Sequence, residues 1–413
     1  MKQHLLQTDS VREHIRIGEN AAERQAVLQA IRSFLRLKSF NPDTSVDITL
    51  LWQCLEGHGL GGMIGQMASR GLIDNSQLRE FSESRYLSNI LHNERARRVI
   101  NRIAQVCIEN SIPVAMLKGS ALLVQGFSDP GLRGFGDVDL FFNSRADILR
   151  LIEALPAQHV RDKGRDSIKG RFTDPAKLNI NLDGVEIELM HCPVFPTDSM
   201  QNTLHYHRPF DVPEREEDLY RPDPSFHFVF LFLHMSINHF CARLIWFLDL
   251  VLLYREQKSQ IDWQWVEREF DRLQVRQLAG GILGFCRDML GSDLPEIKNE
   301  ERTWNMPFIR YMLLSETVLT SRLGIQYVSF WHRRLLNTFY SVAFYLLGDP
   351  QGMRECSSFA TRHMVNRFLY AIRIEWEFPA RICRPLCTLL LWPFAWLSAV
   401  IFRWKLLKRT RAV

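Results

Sequence analysis

The hydrophobic period changes twice along this chain, and this change restricts the possible folds more than any other feature. Apolar residues follow helical spacing from residue 21 to residue 110, and a helical pattern returns after Pro196. Between these regions lie short apolar runs that are typical of buried strands, at 114–117, 138–142, 178–182 and 185–190. We therefore predict an α+β fold, in which a small mixed β-sheet is flanked by an N-terminal helical segment and a long C-terminal helical region.

Local signals divide these regions into elements. Asp183-Gly184 separates the last two apolar runs and predicts a type I′ hairpin turn. The glycine-rich stretch 59–62 is expected to end the second helix. Helices are predicted at 21–37, 48–55, 77–110, 145–155, 226–254, 262–290, 303–320 and 328–347.

Composition and charge exclude several classes of protein. With 46% hydrophobic and 23% charged residues, the chain of 413 residues is globular and long enough for two or three domains. A net charge of +5 is too small to indicate a nucleic-acid partner. The eight cysteines have no zinc-ligand spacing, and the first residues contain no apolar stretch typical of a signal peptide. We therefore expect a cytoplasmic protein with reduced cysteines.

Residues 116–142, MLKGSALLVQGFSDPGLRGFGDVDLFF, carry the motif with the clearest chemistry. A strand that ends at Gly119-Ser120 and continues into a helix leaves backbone N–H groups available at the helix start. Those groups and the Ser120 hydroxyl can bind phosphate oxygens, and glycine permits the close backbone approach that a phosphate needs. Gly119 and Ser120 are therefore candidate phosphate-binding residues.

Asp137 and Asp139 lie two residues apart at the second predicted strand, so their side chains leave the same face of the sheet. Two carboxylates this close repel one another, and Mg²⁺ or Mn²⁺ would remove that conflict. Two such ions bridging the carboxylates and a triphosphate would activate an attacking oxygen and stabilise leaving pyrophosphate. An Asp-x-Asp pattern alone can also be a solvent-facing strand edge, but the preceding strand–Gly-Ser–helix pattern favours a metal site.

These motifs resemble the nucleotidyltransferase superfamily, in which hydrophobic–Gly–Ser is followed by Asp–hydrophobic–Asp. More closely, LKGSALL and DPGLRGFGDVDLFF resemble an uncharacterised family of large bacterial nucleotidyltransferase-like proteins, often found near polysaccharide biosynthesis genes. Members of that family have an Arg before the Asp-x-Asp strand, a later acidic–hydrophobic–His strand and a helical His…Asp region. The matching parts of this chain lie within residues 85–255, at Lys118, Arg133, 186–191 and 234–250.

The resemblance also implies a third metal-binding carboxylate, and two residues could provide it. Glu186 and Glu188 share one face of the strand EIELMH, so the register leaves both open. We favour Glu188, which is closer to His191. That histidine could orient a ligand or act as a base, and a structural role is the alternative.

Each charged residue around the motif has two possible roles. Lys118 and Arg133 could offset phosphate charge in the transition state, or form salt bridges near the carboxylates. Asp249 could pair with Arg243 or reach the site from the helical half, and we assign it a structural role. No zinc site is expected at His234 and His239, because residues five apart do not share a helix face.

The C-terminal residues suggest membrane contact. Residues 385–402 contain no charged side chain and are flanked by basic residues. Their length is near the lower limit for crossing a bilayer of about 30 Å, and Pro393 permits an in-plane helix instead. A buried helix is the third alternative. The basic cluster that follows favours association with the inner face of the cell membrane.

The sequence therefore predicts four regions: an N-terminal helical region, a nucleotidyltransferase core, a helical region and a membrane-associated segment, at 1–84, 85–200, 201–380 and 381–413. The predicted activity is Mg-dependent transfer of a nucleoside monophosphate from an NTP to an unidentified acceptor, in exopolysaccharide biosynthesis. The main alternative is a catalytically degenerate scaffold protein of a polysaccharide assembly system. A toxin-like enzyme that modifies tRNA or protein, and a phosphotransferase of another type, are further alternatives.

Overall fold

A computed structural model describes the chain over residues 21–125, 129–155, 160–161, 177–191, 222–238, 243–272 and 276–297. Over these ranges the protein has the predicted α+β organisation, with one mixed sheet and many helices. The helices are Ala21–Leu35 (α1), Ile48–Gly57 (α2), Gly61–Ser69 (α3), Ser76–Glu109 (α4), Lys118–Gln125 (α5), Arg145–Ala154 (α6), Pro224–Leu233 (α7), Leu244–Gln257 (α8), Trp263–Arg272 (α9) and Arg276–Phe285 (α10). The strands are Val114–Leu117 (β1), Val138–Phe142 (β2), Val160–Arg161 (β3), Lys177–Leu182 (β4) and Val185–Met190 (β5).

The sheet has the order β1-β2-β5-β4-β3 among the described residues. Within this described sheet, β2 and β5 are parallel and the other neighbouring strands are antiparallel. The predicted hairpin between β4 and β5 is confirmed: Asp183 and Gly184 have φ values of 52° and 83°, as a type I′ turn requires. The parallel pair is important for the site, because it places the start of β2 beside the second half of β5.

The two faces of the sheet are covered by different helices. One face, which includes Val138, Leu140 and Ile187, packs against the second half of α4 and against α6. The opposite face contributes Phe141 and Met190 to a second core formed mainly by α1–α3 and α7–α10. Strand residues alternate between these cores because successive side chains point to opposite faces. The N-terminal and C-terminal helices therefore share one core above the face that carries the acidic residues.

Asn75 caps the start of the long helix α4, and its side chain accepts a hydrogen bond from the Leu78 amide. It spans 34 residues, or about 51 Å at the usual helical rise. The chain leaves the helix through Ser111, which has a φ of 51°, and Pro113 prevents further helix. The helix runs without interruption through residues 84 and 85, where we placed a regional boundary, and the four-region division itself stays a prediction.

The glycine-rich stretch was predicted only as a helix end, and this was incomplete. Gly59 does terminate the turn after α2 with a φ of 75°, but α3 begins directly at Gly61. A Cβ atom at Gly62 would lie 2.4 Å from the Gly131 carbonyl oxygen, and one at Gly65 would lie 2.5 Å from the Cβ atom of Tyr86. The glycines allow α3 to pack directly against α4 and the loop before β2, which outweighs their low helix propensity.

The prediction of one continuous helix at 226–254 was wrong. The segment contains α7, a π-helical turn at His234–Asn238 and then α8, which starts at Leu244. Within the predicted helix 262–290 the structure describes α9, α10 and a second π-helical turn at Cys286–Leu290, and residues 273–275 lie outside the described residues. Apolar periodicity did not reveal the extended backbone at Arg243 before α8, because α7 is buried on every side.

Several predictions lie outside the described residues. These are the helices at 303–320 and 328–347 and the membrane-associated segment 385–402. Within the described ranges, none of the helices combines the length and hydropathy needed to cross a bilayer.

Candidate active site

Three carboxylates meet where the start of β2 lies beside the second half of β5. The register pairs Asp139 of β2 directly with Glu188 of β5, on the face opposite the α4 core. Asp137 lies two residues earlier and points to the same side. One ligand atom from each of Asp137, Asp139 and Glu188 lies within 4.8 Å of the others. Glu186 is exposed and lies opposite Asn181, outside this group, so the described geometry brings Glu188 to the aspartates.

The environment of the three carboxylates makes their negative charges costly. Asp139 is fully buried, Glu188 is half-buried and Asp137 is exposed. Burial raises the pKa of the Asp139 carboxyl; the Lys118 ammonium opposes this rise, and the carboxylates of Asp137 and Glu188 add to it. A set of carboxylate oxygens this close is the donor set that a divalent cation such as Mg²⁺ or Mn²⁺ prefers. These residues therefore fit a divalent cation.

Lys118 supplies positive charge inside the acidic group. Its Nζ donates a hydrogen bond to Asp139 Oδ1 and lies 3.4 Å from Glu188 Oε2. Burial acts to lower the pKa of the lysine, but Asp139 and Glu188 outweigh it and raise the pKa above the usual value. The residue also has a φ of 55°, a left-handed conformation that costs energy outside glycine. One ammonium group cannot by itself neutralise three carboxylates.

The predicted phosphate-binding pair, Gly119 and Ser120, lies in the first turn of α5. The Ser120 hydroxyl is buried, donates to the Leu117 carbonyl at 2.7 Å and accepts from the Asp139 amide at 3.3 Å. It therefore fixes the end of β1 against β2, and its phosphate contact stays a prediction. A Cβ atom at Gly119 would lie 2.4 Å from Cδ1 of Phe135, so the glycine makes room for the loop before β2.

Arg133 is held by a partner from the helical half of the protein. Its Nε donates to both carboxylate oxygens of Asp249 in α8, at 2.8 and 3.1 Å. Both side chains are largely buried, and the Arg133 guanidinium also lies over the ring of Phe135. The pairing of Asp249 with Arg243, which the sequence left open, is not the one observed. Asp249 instead approaches the site from the helical half, the other alternative, and it holds Arg133 beside Gly119.

The loop 129–136, which carries Arg133, is fixed by polar side chains that the sequence did not identify. Asn93 Nδ2 donates to the carbonyl oxygens of Pro130 and Arg133, at 2.6 and 2.7 Å. Asn89 Nδ2 donates to the Gly131 carbonyl at 2.9 Å. Tyr86 and Gln66 donate to the carboxylate of Asp129, at the start of the loop. Asparagines at buried positions of α4 were the signal available in the sequence. An asparagine does not indicate a role, however, unless its hydrogen-bond partners are known.

Removing Asn93 should destabilise this loop. In Asn93→Leu the carbonyls of Pro130 and Arg133 lose their donor, and we expect a loss of about 2 to 3 kcal/mol in the free energy of unfolding. Urea unfolding measures it. Asn101→Leu on the exposed side of the same helix is the matched control and should change stability by less than about 0.5 kcal/mol. Equal stabilities of the two variants would show that the hydrogen bonds of Asn93 are not needed.

His227 and His234 have structural positions in the described part of the chain. His227 of α7, which the sequence analysis passed over, is fully buried and hydrogen-bonds to the backbone of Lys118. Burial lowers the pKa of His227 to about 3, so this imidazole is neutral and supports the strained lysine. His234 packs its ring against Phe230 and Trp246. Among the described residues, the one group with metal-ligand geometry is the acidic one, which contains no histidine.

Comparison with known proteins agrees with this geometry. A family model described as uncharacterised nucleotidyltransferase matches residues 44–291, which is more than half of the chain and contains all the residues of the site. No curated protein and no solved structure matches the chain.

Proposed function

This chain belongs to the family of uncharacterised nucleotidyltransferases, and we propose that it moves a nucleoside monophosphate from an NTP to an acceptor hydroxyl and releases pyrophosphate. The observation that carries the proposal is the meeting of Asp137, Asp139 and Glu188 beside the first turn of α5. The family consists of transferases of phosphorus-containing groups, which agrees with a site built from carboxylates and cationic side chains.

The residues of the site have separate tasks in this proposal. Asp137, Asp139 and Glu188 would hold the divalent cation. When bound there, the cation would neutralise negative charge and favour the ionised form of the acceptor hydroxyl. Lys118 and Arg133 would turn their positive charge toward the phosphates, and the first-turn amides of α5 would bind phosphate oxygens. The acceptor oxygen forms the new bond to the α-phosphorus, the bond to the pyrophosphate oxygen breaks, and the hydroxyl proton leaves to solvent.

The biological setting is also part of the proposal. An acceptor in exopolysaccharide biosynthesis is supported by the resemblance of the central motifs to proteins found near such genes. Association with the inner face of the cell membrane is supported by the uncharged residues 385–402 and the basic residues after them. A tRNA acceptor has less support, since the chain has only a small net positive charge.

The direct test uses each α-³²P-labelled NTP with the purified chain, Mg²⁺ or Mn²⁺, and a cell extract as the source of acceptors. Transfer of label from one NTP to a product, with release of pyrophosphate, is the expected result. Digestion of the labelled product with nuclease, protease or glycosidase then identifies the class of acceptor. If no label moves and no NTP binds in the presence of either cation, the degenerate scaffold becomes the better description.

Removing Lys118 should separate cation binding from catalysis. Lys118→Met eliminates the ammonium that contacts Asp139 and Glu188, so Mn²⁺ should bind at least about tenfold more tightly without nucleotide. Transfer of label should fall by roughly 10²-fold or more, because a positive charge near the phosphates is lost. Calorimetry and the labelling assay measure the two effects.

Lys258→Met is the matched control, because Lys258 is largely exposed and lies in the turn after α8. It should change neither quantity. Unchanged Mn²⁺ affinity in Lys118→Met would contradict the idea that the lysine and the cation share the same carboxylates.

A further inference from the structure

A second arginine, Arg243, lies near Arg133. Arg243 immediately precedes α8, and among the described residues no carboxylate forms an ion pair with it. Its Nε is buried and has no hydrogen-bond acceptor in the described part of the chain. A buried guanidinium donor without an acceptor costs free energy, because it has lost its water. Such a group in a native protein indicates a ligand that supplies the acceptor.

The charges around Arg243 also indicate a ligand at this position. The two carboxylate oxygens of Asp249 accept hydrogen bonds from Nε of Arg133. Burial and the nearby positive charge of Arg133 lower the pKa of Arg243 to about 10, so the two guanidinium groups repel one another. Among the described residues, the carboxylate of Asp249 binds Arg133 and none forms an ion pair with Arg243, so the excess positive charge here is suited to an anion.

Arg243 is held in a defined position. The amide of Leu244 donates to Nδ1 of the buried His58 at 3.4 Å, and the amide of Ile245 donates to the His58 carbonyl at 3.2 Å. The guanidinium lies over the ring of Trp246, with Cζ 5.8 Å from the ring centre. These contacts fix the backbone and orient the side chain, while its Nε remains available for an anion.

The location links this anion site to the proposed reaction. A Cβ atom at Gly119 would lie 3.3 Å from Cζ of Arg133, so that guanidinium covers the first turn of α5. Arg243 is the neighbour of this guanidinium on the helical side. We propose that Arg243 and Arg133 together bind the polyphosphate of the nucleotide substrate, so the helical half supplies part of the substrate site. This inference rests on the proposed function and assigns Arg243 a role in it.

The test measures binding of inorganic tripolyphosphate and of AMP to the full chain by calorimetry, without any acceptor. In Arg243→Met the affinity for tripolyphosphate should fall roughly ten- to hundredfold, since a charged hydrogen-bond donor is lost. AMP binding should change less. The affinity of Arg243→Lys for tripolyphosphate should lie between those of the wild type and of Arg243→Met, because lysine keeps the charge but not the planar donor group. Arg255→Met, about 18 Å further along α8, is the matched control and should bind tripolyphosphate like the wild type.

Stability separates a binding role from a structural one. Without ligand, Arg243→Met should melt at the same temperature as the wild type or higher, because the repulsion with Arg133 is gone. Tripolyphosphate should raise the melting temperature of the wild type more than that of the variant. A large drop in the melting temperature of the unliganded variant would show that Arg243 is structural and would overturn the inference.

The outcomes also separate this inference from the proposed function. Label transfer by the wild type together with unchanged tripolyphosphate binding in Arg243→Met would refute the role of Arg243 alone. Tripolyphosphate binding that depends on Arg243, in a wild type that transfers no label, would keep the anion site and refute nucleotidyl transfer. A wild type that binds no tripolyphosphate would refute the anion site.

Discussion

Replacing Asp137 and Asp139 together by asparagine is expected to leave a folded protein that no longer transfers nucleotide. The two carboxylates are the part of the acidic group contributed by the start of β2. Without them, Glu188 alone cannot hold a divalent cation, and the reaction loses several kcal/mol of charge stabilisation. The rate of label transfer should fall by roughly 10³-fold or more. The labelling assay measures the rate, and a thermal melt shows that the variant is folded.

Glu188 and Glu186 lie on the same strand, so their variants can be compared directly as a test and its matched control. Glu188→Gln should lose most of the transfer activity and of the Mn²⁺ affinity, because its side chain belongs to the acidic group. Glu186→Gln, two residues earlier and exposed, removes the same charge outside that group and should retain both. The assignment of the site would be contradicted if Glu186→Gln were the inactive variant, or if the double aspartate variant kept its activity.

The acidic half of the site could be predicted from the sequence because it depends on local rules. Alternation along a strand places Asp137 and Asp139 on the same side, whatever the rest of the fold does. The turn residues at 183–184 fix the hairpin that delivers Glu188. What the pattern could not decide was the register between β2 and β5. Parallel pairing of Asp139 with Glu188 depends on the whole core, so the choice between Glu186 and Glu188 needed the structure.

The cationic half could not be predicted in the same way. Arg133 and Asp249 are 116 residues apart, and Asn93 reaches a loop about forty residues further along. No short pattern links such positions, and each residue alone has a simpler explanation in a helix or a loop. Glycines of α3 were misread for a related reason. Their low helix propensity is a local property, whereas the close approach of α4 and the loop is a tertiary one.

Replacing Asp249 by alanine is expected to be the most destabilising of the substitutions considered. The change leaves the Arg133 guanidinium largely buried, without its carboxylate and next to the positive charge of Arg243. Breaking a buried ion pair by removing one partner costs about 3 to 5 kcal/mol, mostly because the remaining charge has lost its water. Urea unfolding of the full chain, followed by tryptophan fluorescence, measures the change in the free energy of unfolding.

An exposed ion pair in the same helical half shows how much of the expected loss of stability is due to burial rather than to charge. Asp271 forms an ion pair with Arg276 at 2.7 Å, but its side chain is 53% exposed, so Asp271→Ala should cost less than about 1 kcal/mol. The double variant Arg133→Met/Asp249→Leu removes both buried charges and should recover most of the stability lost in Asp249→Ala. It should nevertheless remain inactive, because Arg133 is also a proposed phosphate ligand. Equal costs for Asp249→Ala and Asp271→Ala would mean that water reaches the Arg133–Asp249 pair, and that the helical half does not close over this side of the site.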